Sequence, residues 1–444
     1  MAAKHVPRIL FLSHSAGWGG AEKCLALLLE GLPRETFEPL VLMRRRPLPW
    51  RRPTGLESHC RRLGIAHRLV DLRWWARDWP HDRAFAAGLA DRVHAVARVI
   101  RQWRPDAVLS NTSVVPEGAL AAAACGVPHV WHVLELLSRD PALRPFLPLP
   151  RLYGLMGELS QRIVAVSVAV RDELAPHIAG DKLAVIHTGL PDPGPAPVID
   201  KTAVLGVAHD TPVVAFVGLL SHRKGVVDLI EAARLVVAAM PQARFVLAGR
   251  DGGAAAEVRR LIDRYALGSA VRWLGPRSDV PAILAASDLL VLPSLADPLP
   301  VAVLEAISFG LPVAATRSGG CEEMVADGET GLLVPPGDRP ALAAAILRLL
   351  GDPATRAAMG ARGRARFLAE FTQAGYVERF ARLIEETIAA RPAAALPPRD
   401  ISPVLDELRA AACRRAEQRR RSASLAQRFN ERLLTLLYRW RVVR

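Results

Sequence analysis

A chain of 444 residues with 51% hydrophobic content is long enough for two or three domains with a large core and has a globular composition. No apolar run reaches the roughly 18–20 residues that span a bilayer, and Arg8–Leu12 reads as a buried strand, not the core of a signal peptide. The net charge of +14 is uneven: residues 401–444 hold 11 Arg against four acids, so half of the excess lies in the last tenth of the chain. The five cysteines (Cys24, Cys60, Cys125, Cys321, Cys413) are odd in number and lack metal-ligand spacing, which points to a reducing cytoplasm.

Residues 8–190 alternate short apolar strands with helical patterns. RILFLSHS, FEPLVLM, DAVLSN, PHVWHV and IVAVS read as strands, AEKCLALLLEGL and FAAGLADRVHAVARVIRQW as helices. Such alternation predicts parallel strands covered on both faces. A basic, aromatic insertion spans 43–80, with MRRRPLPWRRP and RWWARDW inside it. Pro/Gly-rich residues 189–195 read as an interdomain linker. Alternation restarts with TPVVAFVGLL, ARFVLAG, AVRWLG, ASDLLVLPS and LPVAAT, a second α/β domain. The expected order is a first Rossmann-like domain over 1–193, a second over 194–370 and a helix over 371–390 returning to the first. A linker follows at 391–400, then a basic helical tail at 401–444. Two doubly wound domains facing each other would place a site in their cleft, at the carboxyl ends of the strands.

Residues 293–320, PSLADPLPVAVLEAISFGLPVAATRSGG, read as a turn, a helix and a buried strand. Pro298 and Pro300 place the helix start near Pro300, so its free N–H groups lie beside Asp297. Glu305 follows eight positions after Asp297. A carboxylate beside an anion site suits a ligand that carries both hydroxyls and phosphate. A sugar nucleotide is such a ligand. In the tail, Leu405–Arg421 and Leu425–Arg441 read as two basic helices. The second is amphipathic, suited to an anionic membrane surface or to docking on this chain or a second copy of it. No nucleic-acid module is recognisable.

The 293–320 segment resembles the signature of retaining glycosyltransferases of the GT-B fold, the group 1 type, written EGFPLVLLEA. Asp297 replaces the first Glu, Pro298 the usual Gly, and Glu305 stands at the second Glu. The resemblance implies that the first acid lies by the donor sugar and the second holds the ribose hydroxyls. FVGLLSHRKG resembles the donor-diphosphate loop, GRLxxxKG: Lys224 and Gly225 match its end, and Leu219 stands where an Arg is usual, a charge that Arg223 can supply. SHSAGWGGAEKC resembles the GGAE glycine loop, with Gly17, Gly19, Gly20 and Glu22. His132, at the end of PHVWHV, resembles the His near the transferred sugar, with His129 as the alternative, and Glu135 is a candidate for the acceptor. AGRDGG resembles the family's Gly-rich turn, which implies that Arg250 lies near the donor; VRWLGPRSDVPAIL resembles the loop that lines the base, and Glu323 stands at the family's usual acid.

The resemblance, from residue 8 to about 388, implies a donor set of Gly19, Gly20, Arg223, Lys224, Arg250, Asp297, Leu299, Pro300, Val301 and Glu305. It implies a catalytic set of His132, Asp297, Lys224 and Glu305, with Glu135 and Glu22 toward the acceptor. No DxD-like metal site appears and no cofactor is expected. The substrates would be a nucleoside diphosphate sugar and a glycan or lipid-linked acceptor, in bacterial surface glycan synthesis. The enzyme would be cytoplasmic, peripheral on the inner membrane face through its tail, with a homodimer as a further expectation and no nucleic acid. The alternatives are a non-catalytic scaffold of the same fold, favoured by Leu219 and Asp297, and a nucleotide-sugar epimerase.

Overall fold

The computed structural model describes residues 5–45, 55–76, 82–195, 199–390 and 396–422. Much of the basic insertion and the predicted helix 425–441 lie outside the described residues. The chain divides into two compact units. Unit one comprises Met1–Val166, Val170–Ile186 and the described residues from Val377 on; unit two comprises Ser167–Ala169 and His187–Tyr376. The division therefore falls just before Gly189–Pro195, the segment with a linker's composition.

Unit one is built on β1 (Arg8–Ser13), β2 (Glu38–Arg44), β3 (Ala66–Val70), β4 (Ala107–Asn111), β5 (His129–Val133), β6 (Arg162–Ala165) and β7 (Leu183–Val185). The sheet runs β3-β2-β1-β4-β5-β6-β7 with every pair parallel. Its central strands are buried on both faces, which is why RILFLS and AVLSN read as continuous runs rather than alternations. β3 and β7 are short, half-exposed edge strands and leave no such run. Trp75 and Trp131, both fully buried, stack with ring centroids 5.7 Å apart.

Unit two repeats the plan with β8 (Val213–Val217), β9 (Arg244–Ala248), β10 (Val271–Gly275), β11 (Leu289–Leu292), β12 (Val313–Thr316) and β13 (Gly331–Val334). Its parallel sheet runs β10-β9-β8-β11-β12-β13. Both sheets are doubly wound. Chain order reverses beside β1 in one and beside β8 in the other, and ligands of open α/β sheets bind at such switch points, outside the carboxyl ends of the strands.

The end of the described chain belongs to unit one. Residues 396–400 lie on it: the Arg399 amide donates to the Ala123 carbonyl at 3.0 Å. Helix Ser402–Ser422 then packs on helix Asp82–Ala87, burying Leu408 and Ala412 completely. Asp82, 1% exposed, takes Arg415 through both carboxylate oxygens at 3.1 and 2.9 Å, and that guanidinium lies 4.3 Å over the Phe146 ring. Arg151 holds Glu407 with two further bonds of 2.8 Å. The first basic segment of the predicted tail is thus an integral helix of unit one, anchored through Arg415 on Asp82 and through Glu407 on Arg151.

Breaking a buried pair leaves an uncompensated charge. Arg415→Ala is expected to destabilise unit one by about 3 kcal/mol, the lower end for such pairs, because Arg419 stands 4.0 Å from the same carboxylate. Urea denaturation at neutral pH measures it.

Candidate functional site

In unit two, the loops after β8 and β11 flank the switch point and carry the predicted donor residues Arg223, Lys224, Asp297, Leu299 and Pro300. Ser221 caps a short 3-10 turn, His222–Lys224, and Gly225 follows at φ 67°, opening helix Val226–Ala239. A Cβ at 225 would lie 1.8 Å from the Pro293 carbonyl oxygen, so only glycine permits this approach. The Leu295 amide donates to the Arg223 carbonyl at 2.8 Å, and Arg223 Nη1 donates to the Ala296 carbonyl at 3.0 Å. The two loops form one layer in which Lys224 Nζ pairs with Asp297 Oδ2.

Asp297 is 4% exposed and fixed on every side. Its amide donates to the Ser318 carbonyl at 2.8 Å, its carbonyl accepts from Gly320 at 2.9 Å, and Ser294 Oγ donates to Oδ2 at 3.2 Å. Helix Val301–Ser308 starts with Pro300 as its N-cap, as the prolines predict, with Leu299 buried just before it. Glu305 lies half-buried in that helix, between the buried Leu304 and Ala306. Arg250 is exposed just beyond β9; its carbonyl accepts the Leu220 amide at 2.9 Å, which ties its loop to the one after β8. Leu219 is 41% exposed on that same loop. Glu323 accepts the amides of Val168 and Ala169, at 2.7 and 3.1 Å, and His187 Nε2 at 2.7 Å. These bonds give that acid a framework role within unit two.

In unit one, Gly19 is the N-cap of helix Gly20–Gly31, and Glu22 lies in its first turn. Glu22 is 3% exposed, with His14 Nδ1 at 3.3 Å and Ser13 Oγ at 3.5 Å. Burial pushes its carboxyl up to about 7, against hydrogen bonds from the Glu22 and Gly19 backbone and from Ser13, and the charge of Glu135 adds to the rise. Glu135 is half-buried. Its Oε2 accepts from Ser113 N and Oγ at 3.0 and 2.7 Å and from Leu134 N at 3.2 Å, while burial raises its pKa.

The two candidate histidines separate cleanly. His129 is bonded at both ring nitrogens inside the core, Nδ1 to Ser160 Oγ at 2.8 Å and Nε2 to Ser110 Oγ at 2.9 Å, a structural arrangement. His132 ends β5, with Nδ1 3.0 Å from Asn111 Oδ1. Asn111 Nδ2 donates to the Ala21 carbonyl at 3.0 Å, which turns its oxygen to His132 and assigns the ring proton to Nδ1. Burial lowers the His132 pKa to about 3, so the ring is neutral at physiological pH, with Nε2 an acceptor. Sequence reasoning missed Asn111, Ser113 and Ser294, the residues that aim His132, Glu135 and Asp297. The signal was present: a polar SNTS at the end of an apolar strand is unusual unless the side chains are used. Thr112 in that run has φ 100°, a left-handed backbone that costs a β-branched residue roughly 1–3 kcal/mol.

Residues 199–366 match the glycosyl transferases group 1 family, and residues 18–192 match Glycosyltransferase Family 4. The chain is 33% identical over 293 residues to the alpha-maltose-1-phosphate synthase of Mycolicibacterium smegmatis, covering 59% of this chain and 73% of that protein. It is 36% identical over 203 residues to a GDP-mannose-dependent monoacylated alpha-(1-6)-phosphatidylinositol monomannoside mannosyltransferase of Corynebacterium glutamicum, 43% of this chain and 52% of that one. Among solved structures, Anabaena HepE in complex with UDP and glucose shares the fold at TM-score 0.72 and 24% identity, over 86% of this chain and 100% of that one.

Glu22 supplies a pH test. Its folded pKa of about 7 exceeds the usual 4.5, so between those values the folded state keeps a proton that the unfolded state releases. Stability therefore falls as pH rises from about 4.5 to about 7 and levels off above. Glu22→Gln stays neutral and is expected to gain on the order of 3 kcal/mol over the parent across that window. Melting temperature against pH reads the difference.

Proposed function

This chain belongs to the glycosyl transferases group 1 family, and we propose that it moves a sugar from a nucleoside diphosphate sugar to a glycan or lipid-linked acceptor, with retention at the anomeric carbon. The observation that carries this reading is the buried Lys224–Asp297 pair at the switch point of the second sheet, followed within one segment by a helix start and Glu305. Cation, acid and helix N-terminus together suit a ligand that is phosphate at one end and polyol at the other. The relatives' names point the same way: one uses GDP-mannose and one solved neighbour was crystallised with UDP.

When the glycosidic bond to the donor breaks, negative charge develops on the diphosphate. Lys224 and Arg223 stabilise it, and the chemistry as proposed calls for neither metal nor cofactor. The acceptor hydroxyl attacks from the same face and passes its proton to the leaving phosphate. Asp297 orients the sugar and Glu305 the ribose, while Arg250 and Leu299–Val301 line the donor. His132, neutral with its proton on Nδ1, offers Nε2 as an acceptor for a hydroxyl of the transferred sugar. Glu22 and Glu135 take hydroxyls of the acceptor, and the Gly19–Gly20 turn lets backbone come close to the ligand.

A lipid-linked acceptor would bring the enzyme to the inner membrane face in surface glycan synthesis, and the five arginines against one acid in residues 423–444 favour an anionic surface. Among the described residues no helix is long and apolar enough to cross a membrane.

The test is a screen of UDP-, GDP- and ADP-sugars with mass detection, run with and without membrane extract. Lys224→Ala is expected to lower turnover by about 100-fold or more and Glu305→Ala by about 10-fold or more, with circular dichroism unchanged. Parental activity in both variants overturns the assignment. A protein that binds no donor supports a scaffold, and product formed without acceptor supports an epimerase.

A further inference from the structure

The lysine assigned to the donor phosphates already has a partner. Lys224 Nζ sits on Asp297 Oδ2, with the two side chains 16% and 5% exposed. The backbone of Asp297 is held in place, because its amide and carbonyl are both tied to the loop after β12. Its oxygen Oδ2 has a second, neutral donor in Ser294 Oγ at 3.2 Å. Ser294 is itself fixed: it is fully buried, and its carbonyl accepts from Thr316 Oγ1.

This arrangement has a consequence for what the site will hold. A diphosphate that draws Lys224 to itself removes the cation from a carboxylate that water barely reaches. The diphosphate cannot replace what it took, since it is an anion with no donor to give. A sugar attached to it can: its hydroxyls donate to the carboxylate and restore the lost hydrogen bonds. A nucleoside diphosphate alone therefore binds against the pull of Asp297, and a complete sugar nucleotide does not.

Resting on the nucleotide-sugar reading above, we propose that Asp297 is an internal competitor for Lys224, which biases the site toward the intact donor and helps to expel the nucleoside diphosphate left after transfer. The acid then has two duties in sequence: it holds the sugar while the sugar is present and recovers the lysine once the sugar has gone. Ser294 tunes the balance, because each bond it gives the carboxylate reduces the acid's demand for Lys224.

The experiment is calorimetric titration of the full-length protein with UDP, GDP and ADP and with UDP-glucose, GDP-mannose and ADP-glucose. In Asp297→Asn the competing charge is gone. The bare nucleoside diphosphate of the matching base is expected to bind about tenfold or more tightly than to the parent, and the preference for the sugar nucleotide is expected to collapse toward unity. Unchanged or weaker nucleoside diphosphate binding in this variant overturns the proposal. Ser294→Ala, should the first variant fold poorly, moves the same quantity the opposite way: the acid leans harder on Lys224, and the diphosphate binds about threefold more weakly. Tighter binding there overturns the proposal as well. A parent protein that binds sugar nucleotides while Asp297→Asn shows no gain for the diphosphate rejects the competition and leaves the donor reading intact; a parent that binds none of the six rejects both.

Discussion

The contact of Gly225 with the Pro293 carbonyl sets the geometry of the second unit's site. The two loops it joins follow adjacent strands, β8 and β11, and each would be an ordinary crossover turn by itself. Pressed together without a side chain between them, they share a backbone hydrogen bond and one from the Arg223 side chain and become a single surface. Lys224 and Asp297, 73 positions apart in sequence, then meet without either reaching far. A second close approach, of Gly249 to the Gly218 carbonyl, places the Arg250 loop against the same strand end. Glycine at these positions is a condition of the site's shape.

The candidate site residues of the two units handle charge differently. Unit two keeps a cation and an acid in direct contact where water barely reaches, a polarised arrangement suited to an anionic, hydroxyl-bearing ligand. Unit one favours the neutral forms of its buried groups at the carboxyl ends of β1 and β5: His132 has lost its charge to burial, Glu22 titrates near neutrality and Glu135 is pushed upward. Neutral groups with lone pairs and protons to share suit hydroxyl recognition. The sequence places acids in both halves; that Asp297 meets Lys224 follows from the packing of two loops, which a motif does not express.

The doubly wound halves were legible in the sequence because their central strands are buried on both faces and so appear as unbroken apolar runs. The start of the Val301 helix was legible because two prolines confine it. The edge strands β3 and β7 were not, since half-exposed residues carry no run. The choice between His129 and His132 was not decidable from PHVWHV: it turns on Ser110, Ser160 and Asn111, which reach the two rings only through strand pairing. Helix Ser402–Ser422 was legible as a helix, and its docking was not. Its charges look like a solvated stripe until Arg415 is seen to meet Asp82 and Glu407 to meet Arg151, and Asp82 lies 333 positions before Arg415.

That separation bears on how the protein is made. Unit one is completed by residues from both ends of the chain, whereas unit two is almost entirely the continuous stretch His187–Tyr376. During synthesis the first 186 residues leave the ribosome with Asp82 unpaired and the face that receives Leu408 and Ala412 open to water. They stay so until helix Ser402–Ser422 emerges, some 220 residues later. The usual N-terminal-first order is thereby inverted: the second unit can close while the first still waits for helix Ser402–Ser422. Synthesis that terminates before residue 402 would release a chain whose second unit is whole and whose first unit has an uncovered apolar face beside an unpaired Asp82.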